Sequence, residues 1–309
     1  KWKEYERAST TIADAYVKPV VSQQMNTIRE RFRENGITDH VAIIKSNGGE
    51  MTIDAAANSP IQMTVSGPTG GVIAGKQVAR MAGVDHLVTF DMGGTSTDCS
   101  TVVGGNESFT TDFDIEFGIP IQIPMIDIRT IGAGGGSIAW IDKGGMLRVG
   151  PESAGAEPGP ACYGNGGTRP AVTDANVVLG RISPDNFLGG KMSLDKDAAI
   201  AAVKSVADVL GRSVEDTALA ILQIANNNMV GALGSVLIER GLDPRDFALL
   251  AFGGAGPLHA NDLMNDAGIP SGIVPNYPGQ FSAFGFIMTD ARVDVQRTVQ
   301  MTSRAFDQT

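Results

Sequence analysis

Several residue types are scarce in this sequence, and each scarcity excludes a class of protein. The chain has 2 cysteines and 3 histidines among 309 residues, and two cysteines cannot by themselves make a disulfide framework or a four-ligand zinc site. Aromatic residues make up only 6% of the chain and charged residues 19%. No uninterrupted apolar run approaches the roughly 18 residues of a membrane span, so we expect no membrane partner.

Positive charge is also scarce. The chain has 24 lysines and arginines but 34 aspartates and glutamates, which gives a net charge of −10. Binding to the phosphates of a nucleic acid requires a basic surface, so we expect no nucleic-acid partner. The chain begins at Lys1 without a secretion signal. We therefore expect a segment of a longer, cytoplasmic polypeptide.

Glycine is the residue in excess. The chain has 39 glycines, which is about 13% against roughly 7% in average usage. They follow no Gly-X-Y period, so a collagen-like chain is excluded. Three clusters, at 91–98, 132–136 and 253–256, come directly after predicted strands. Glycine at such positions lets the backbone approach a ligand closely and present its N–H groups to an anion.

Strands alternate with helices along the chain, which indicates an α/β fold. The residues at 8–35 have a helical pattern that Pro19 is expected to interrupt. The Gly/Pro-rich residues 142–170 predict a long ordered loop. The other predicted helices cover 70–81, 193–210, 213–240, 258–267 and 281–289, and the main predicted strands cover 41–44, 87–90, 99–103 and 247–252.

The turn at 91–98 carries the most chemistry. Asp91 and Asp98 flank Gly93, Gly94 and Thr95, and carboxylates beside phosphate-binding amides repel the phosphate unless a cation lies between them. Mg²⁺ held by one or two carboxylates and phosphate oxygens would remove this repulsion. A plain tight hairpin with no ligand is the alternative. No GxxxxGK[ST] loop occurs, and Gly132–Gly136 fits a dinucleotide motif poorly.

The order of these elements resembles the ATPase core shared by actin, sugar kinases and the large heat-shock chaperones. This resemblance implies a ribonuclease H-like α/β fold with a mixed sheet flanked by helices. It also implies an incomplete structure of one lobe and part of the other, because the first phosphate hairpin is not in the sequence. The expected division is a first-lobe remainder at 1–86, a second lobe at 87–275 with an insertion at about 142–170, and a return to the first lobe at 276–309.

A second and more specific resemblance is carried by several longer stretches. These are Lys45–Gly49, Asp91–Asp98, Ile131–Ala139, Val149–Ala156, Pro158–Gly164, Thr173–Asn176, Asp243–Phe247 and Ala251–Ala260. Together they resemble one family within that superfamily, the hydantoinase A/5-oxoprolinase family, and the resemblance covers nearly the whole chain.

The family resemblance implies an ATP-dependent hydrolase that opens a cyclic amide, of the hydantoin or 5-oxoproline type, by phosphorylating its carbonyl oxygen. The ATP-binding subunit of a ketone carboxylase is the first alternative. A nucleotide-driven conformational module without small-molecule chemistry is the second. ATP and Mg²⁺ are the implied cofactors, and a small cyclic amide and a hydantoinase B-like subunit or domain are the implied partners.

The resemblance also implies roles for individual residues. Asp91, Asp98 and His259 are the candidate catalytic residues, and Asp91 is the candidate Mg²⁺ ligand. Asp98 is either a second metal carboxylate or a structural cap. His259 is either a general acid or base or a packing residue at a helix start. Asp174 either serves the substrate or caps a helix. The candidate nucleotide-binding residues are Gly93, Gly94, Thr95, Gly134, Gly135, Gly136, Gly253, Gly254 and Ala255.

Overall fold

A computed structural model of the chain describes residues 3–37, 41–111, 113–115, 118–292, 294 and 295. The α-helices among these residues are α1 (Glu4–Glu34), α2 (Ile53–Asn58), α3 (Ser66–Ala82), α4 (Val172–Val178), α5 (Lys196–Leu210), α6 (Val214–Leu237), α7 (Gly256–Ala267) and α8 (Phe281–Phe286).

The first seven strands in chain order are β1 (Ala42–Ile44), β2 (Glu50–Thr52), β3 (His86–Met92), β4 (Thr97–Val103), β5 (Asn106–Glu107), β6 (Phe109–Thr110) and β7 (Phe113–Ile115). The remaining strands are β8 (Ile119–Ile121), β9 (Met125–Ile126), β10 (Arg129–Ile131), β11 (Ser137–Ile141), β12 (Leu147–Ser153), β13 (Ala248–Phe252) and β14 (Ser271–Ile273).

The described residues form two compact units. Unit 1 comprises Lys1–Thr69, Phe109–Ile126 and Met288–Thr309, and unit 2 comprises Gly70–Ser108 and Asp127–Ile287. The segment Phe109–Ile126 thus belongs to unit 1, although it lies within the predicted second lobe. The predicted return at 276–309 lies partly outside the described residues. The assignment of lobes stays a prediction.

Unit 2 is built on one mixed sheet with the strand order β10-β4-β3-β13-β14, and β5 pairs with β4. The pairs β3–β4 and β10–β4 are antiparallel, whereas β13 runs parallel to β3 and to β14. Every residue of β13 is buried, as expected for a central strand covered on both faces. This arrangement confirms the predicted α/β fold with a mixed sheet flanked by helices.

Helix α6 contributes much of the unit 2 core. Its buried face includes Ile221, Leu222, Met229 and Leu233, which pack with Phe90 and other residues of the sheet. By length and composition alone, the segment Val214–Arg240 would also be able to cross a membrane, but half of its most apolar window is buried inside unit 2. The core helix of a soluble domain has the same composition, so this is weak evidence for a membrane span.

Two glycine positions bring α3 and α8 into direct backbone contact in unit 2. A Cβ atom on Gly285 would overlap the carbonyl of Gly70, and a Cβ on Gly70 would overlap the carbonyl of Ser282. The small residues of both helices therefore permit a closer approach than larger side chains would allow. Ser282 is held close to the sheet by this contact.

Unit 1 is smaller and centred on α1. Met25 of α1 packs with Ile53 and Ala56 of α2, and partly buried residues of β1 and β2 complete this cluster. Strands β1 and β2 form an antiparallel hairpin through the turn at 45–49. The pairs β6–β9 and β7–β8 are also antiparallel.

Two details differ from the sequence-based expectation. Helix α1 runs without a break through Pro19, so the predicted interruption is wrong. A proline removes one backbone donor from a helix, and the remaining bonds of this 31-residue helix hold it together. The predicted loop at 142–170 is wrong for Leu147–Ser153, which forms β12 and pairs with β11. Its glycine and proline concealed this strand in the sequence.

Candidate functional site

Three glycine-rich turns meet at one edge of the unit 2 sheet. In β3 and β4, Asp91 lies opposite Asp98, and the hairpin 93–96 joins the two strands. Phe252 at the end of β13 pairs with Asp91, so the turn 253–255 leaves from the same edge. Ile131 at the end of β10 pairs with Thr97, and the turn 132–136 follows there.

The hairpin 93–96 presents backbone donors to the outside. Gly93 donates its N–H to the Ser96 carbonyl at 3.0 Å, which closes the turn. Among the described residues, no acceptor is found for the N–H groups of Gly94, Thr95 and Ser96. Gly94 and Thr95 are exposed, and a Cβ on Gly94 would have no atom within 4 Å. Successive N–H groups of this kind form an anion-binding nest.

Two carboxylates flank this hairpin. Asp91 accepts a hydrogen bond from Ser282 Oγ at 3.2 Å, and Asp98 accepts one from Thr130 Oγ1. Burial raises the pKa of both carboxyls, and the charge of Asp98 raises the pKa of Asp91 further. Like charges directly opposite on neighbouring strands destabilise a sheet. A cation between Asp91 and Asp98 would relieve this repulsion.

The turn at 132–136 braces the 93–96 hairpin. Gly134 donates its N–H to Ser137 Oγ at 2.9 Å, Gly135 to the Gly93 carbonyl at 3.0 Å and Gly136 to the Gly94 carbonyl at 2.6 Å. All three glycines are buried. Their N–H groups are therefore engaged within the protein, and the phosphate contact expected of these three glycines stays a prediction.

The turn at 253–255 is mostly engaged within the protein as well. Gly253 donates its N–H to the Pro278 carbonyl and Ala255 donates to the Met92 carbonyl, each at 3.0 Å. Gly253 has a φ of +82°, and a Cβ there would overlap Asp91 Oδ1, so this position requires glycine. Gly254 is exposed with open space above it. Gly254 is therefore the member of this turn that a ligand can approach.

The residues at this edge fit a magnesium nucleotide. The free N–H groups of 94–96 are suited to phosphate oxygens, and the pair Asp91 and Asp98 is suited to a hard divalent cation. Among the described residues, no group of three or more histidine, cysteine, aspartate or glutamate side chains is arranged to hold a metal ion. Mg²⁺ commonly keeps several waters and uses one or two carboxylates with phosphate oxygens, which this edge provides.

His259 lies in the interior rather than at an accessible surface. Its side chain is fully buried, and Nδ1 is 2.7 Å from Asn226 Oδ1. Asn226 Nδ2 donates to Asp262 at 3.2 Å, so Asn226 Oδ1 accepts and His259 Nδ1 carries the proton. Burial lowers the pKa of His259 to about 4, with Arg181 contributing in the same direction. The burial of His259 is what the packing alternative expects, and its catalytic role stays a prediction.

Asp174 holds a loop rather than a substrate. This fully buried carboxylate accepts N–H groups from Ala161 at 3.1 Å, Cys162 at 2.8 Å and Ala171 at 2.8 Å. Burial and the charge of Asp174 raise the pKa of the buried Cys162 thiol, which therefore stays protonated and a poor nucleophile. The helix-cap alternative for Asp174 is the one that the contacts support.

Sequence reasoning missed Ser282 and Thr130, which hydrogen-bond to the two carboxylates. Ser282 lies 191 positions from Asp91 along the chain, and no local pattern links them. Thr97, by contrast, is a hydroxyl residue of the predicted phosphate turn that points inward. It is fully buried and donates to the Ala133 carbonyl at 2.6 Å. The ligand-binding role of the exposed residues stays a prediction.

Comparison with known proteins extends this description. The chain is 43% identical to caprolactamase subunit alpha from Pseudomonas jessenii, over 97% of this chain and 43% of that subunit. The crystal structure of the ATP-dependent caprolactamase from the same organism superimposes with a TM-score of 0.82 and 42% identity, over 94% of this chain and 42% of that one. The nucleotide-free structure of acetone carboxylase superimposes with a TM-score of 0.85 and 32% identity, over 94% of this chain and 41% of that one.

These similarities have two consequences. The chain spans less than half the length of the relatives it matches. The close superposition confirms the predicted fold class, an α/β core of the actin-like ATPase type. A sequence model of the hydantoinase/oxoprolinase family matches residues 7–295. This chain belongs to the hydantoinase/oxoprolinase family.

Proposed function

We propose that the unit 2 edge binds the phosphates of Mg²⁺-ATP, and that the whole protein uses this nucleotide to open a cyclic amide. The observation that carries the proposal is the hairpin 93–96. Three of its four N–H groups, those of residues 94–96, lack an acceptor among the described residues, and Asp91 and Asp98 lie on either side of the hairpin. Free amide donors beside paired carboxylates suit an anion that arrives with a divalent cation.

The proposed chemistry follows from the stability of an amide. Resonance makes the carbonyl carbon of a lactam a poor electrophile, so water attacks it slowly. Transfer of the terminal phosphoryl group to the carbonyl oxygen would remove this resonance and create a good leaving group. The positive ends of the hairpin amides would stabilise the charge that develops on the transferring group. When bound, Mg²⁺ would neutralise further phosphate charge.

Residues of this chain would divide the work. The N–H groups of Gly94 and Thr95 would hold phosphate oxygens, and Asp91 would orient Mg²⁺ through water. The Ser282 and Thr130 hydroxyls would hold the two carboxylates in place through the hydrogen bonds described above. Gly254 would lie near the adenosine. Gly134, Gly135 and Gly136 would act from behind by keeping the hairpin rigid.

A ketone carboxylase subunit is the second candidate. The structural similarity to acetone carboxylase favours it, and the same nucleotide edge would serve both reactions. In a carboxylase, the phosphoryl group would activate an enolate oxygen or bicarbonate rather than a lactam. A separate hydantoinase B-like subunit would complete the enzyme in either case, since the matched caprolactamase relative is itself a subunit.

The test is to titrate Mg²⁺ and a non-hydrolysable ATP analogue into the 309-residue chain by calorimetry. We expect Asp91→Asn to weaken binding by at least about tenfold, because one charge-assisted contact contributes roughly 1.5–3 kcal/mol. Asp142→Asn is the matched control, since this carboxylate lies in the β11–β12 turn and pairs with Arg148. Equal binding by the wild type and Asp91→Asn would contradict the proposed site.

The reaction itself is tested by phosphate release from ATP in the presence of 5-oxoproline, hydantoin, caprolactam or acetone. We expect no turnover by this chain alone and stimulation by one cyclic amide once the partner subunit is added. Stimulation by acetone alone would replace the hydrolase with the carboxylase. Steady turnover by the 309-residue chain without a partner would contradict the expected dependence on a second subunit.

A further inference from the structure

The turn Lys45–Gly49 is one of the stretches that resemble the family, and it lies in unit 1, outside the candidate site at the edge of the unit 2 sheet. Ser46 donates from its N–H and its Oγ to the Gln62 carbonyl, at 2.7 Å and 2.8 Å. The Ile126 N–H donates to the Ser46 carbonyl at 2.8 Å. A Cβ on Gly49 would lie 2.6 Å from Arg292 Cβ. The turn therefore fixes three separate segments of unit 1 against one another.

A cavity of about 380 Å³ lies beside this turn, within unit 1. Its volume is at the small end of ligand pockets, which range from about 300 to 1,000 Å³. Its lining includes the apolar residues Ile61, Ile123 and Pro124 and the polar residues Lys45, Gln62 and Asp294. The cavity therefore offers a small molecule both apolar surface and hydrogen-bonding groups.

The polar groups are held in fixed positions. Lys45 Nζ donates to the Arg292 carbonyl at 2.6 Å, which leaves two of its three N–H groups for other acceptors. Asp294 accepts hydrogen bonds from the Asn47 side chain and from Arg292 Nε at 3.1 Å. Asn47 is itself buried, and its Oδ1 accepts the Gly49 N–H at 2.9 Å. The hydrogen bonds of the Lys45–Gly49 turn thus position the polar side chains that line the cavity.

Asp294 remains an acceptor at neutral pH. Burial alone would raise the pKa of Asp294. The hydrogen bonds from Asn47 and Arg292 and the charge of Lys45 together lower this pKa by a larger amount, so the net shift is downward. A cationic donor and an ionised acceptor therefore line the same small cavity. This combination is complementary to a ligand that carries an acceptor and a donor on one edge.

We propose that this cavity is a binding site for a small cyclic amide. The ring constrains the amide to the cis form, so its C=O and N–H lie side by side. The C=O would accept from Lys45, the N–H would donate to Asp294, and the ring methylenes would lie on Ile61, Ile123 and Pro124. The choice of a cyclic amide rests on the proposed function, whereas the donor and acceptor pattern rests on the cavity alone.

Three ring compounds of similar size separate the contribution of the N–H donor from those of the carbonyl and the apolar ring. We would titrate 2-pyrrolidinone, N-methylpyrrolidinone and cyclopentanone into the 309-residue chain without nucleotide, following amide chemical shifts by NMR. We expect 2-pyrrolidinone to bind about tenfold more tightly than the other two, because only it donates an N–H to the charged acceptor. Equal binding of cyclopentanone and 2-pyrrolidinone would overturn the proposal.

Variants locate the binding. Asp294→Asn should weaken binding of 2-pyrrolidinone about tenfold and leave the weak binding of cyclopentanone unchanged. Ile123→Trp should block both by filling the cavity. Glu50→Gln is the control, since this exposed residue of β2 lies outside the cavity. Thermal unfolding of each variant verifies that it folds, and unchanged binding in folded Ile123→Trp would overturn the site.

The outcome is separable from that of the nucleotide site. Asp91→Asn should leave binding of 2-pyrrolidinone intact, because Asp91 belongs to unit 2 and the titration contains no nucleotide. Lactam binding by a wild-type chain that fails to bind the nucleotide would contradict only the proposed function. Intact nucleotide binding without lactam binding in the wild-type chain would overturn only the cavity proposal.

Discussion

The turns 93–96 and 134–136 are both rich in glycine and have opposite uses. The first is Gly-Gly-Thr-Ser and joins β3 to β4, whereas the second is three glycines and follows β10, the neighbour of β4. The first leaves its N–H groups at 94–96 without acceptors among the described residues. The second places each of its glycine N–H groups on a protein acceptor, two of them carbonyls of the first turn.

The difference shows that a glycine-rich turn is not by itself a ligand site. Burial separates the two turns, because a buried N–H must find a partner within the protein, whereas an exposed one can exchange water for a ligand. The turn 134–136 also holds the N–H groups of the turn 93–96 in position for an anion. Donors held at fixed positions need no rearrangement when an anion binds, which is the condition for strong electrostatic stabilisation.

The largest effect should come from adding one methyl group to the braced turn. In Gly134→Ala the Cβ would lie 2.7 Å from backbone atoms of Gly94 and Thr95, which cannot move away without shifting the hairpin. We expect the free energy of unfolding to fall by about 3 kcal/mol. Gly94→Ala is the matched control, with no atom within 4 Å of its Cβ, and should change it by less than about 1 kcal/mol.

Urea unfolding of both variants measures this contrast. Equal destabilisation by Gly134→Ala and Gly94→Ala would contradict the distinction between a buried turn and an exposed one. Calorimetry with Mg²⁺ and an ATP analogue sharpens it, because Gly94→Ala should weaken nucleotide binding while remaining well folded.

His259 extends the comparison to a buried side chain whose Nδ1 is bonded to Asn226, and its effect on stability depends on pH. Its folded pKa of about 4 is below the ordinary value of 6.5, so the unfolded chain takes up a proton first. The wild type should therefore lose stability as the pH falls from about 6.5 to about 4, by up to roughly 3 kcal/mol.

The variant His259→Gln should lack this part of the pH dependence, since glutamine does not titrate. Urea unfolding at several pH values across this range provides the measurement. A pH profile of ATP use that shifts near neutrality in His259→Gln would instead indicate an acid–base role for this histidine.

The smallest expected effect concerns the carboxylates of the open turn. Burial raises the folded pKa of Asp98 above 3.8, so its charge opposes folding once the pH exceeds the folded value. Asp98→Asn should raise the free energy of unfolding at neutral pH by less than about 1 kcal/mol, and the gain should vanish as the solution is acidified. A loss of stability at neutral pH would show that Asp98 is a structural cap.

Much of this architecture was predictable because its signals are local. Strand alternation and turn residues placed β3, β4 and the hairpin between them, and apolar periodicity placed α5 and α6. The engagement of Gly134–Gly136 was not predictable, because whether an N–H is free depends on residues brought together by the fold. Ser282 and Thr130 were missed for the same reason. Pro19 and β12 were misjudged because long-range contacts outweighed local preference.

The three hydrogen bonds on Asp174 have a consequence for the Gly/Pro-rich residues 154–171. Composition of this kind usually marks a segment that proteases cut first, because a substrate must be drawn out into an extended strand before cleavage. Here one buried carboxylate ties the middle of the segment, at Ala161 and Cys162, and its last residue, Ala171, to the start of α4. The segment should therefore survive limited digestion with subtilisin in the native protein and become a preferred cutting site in Asp174→Ala.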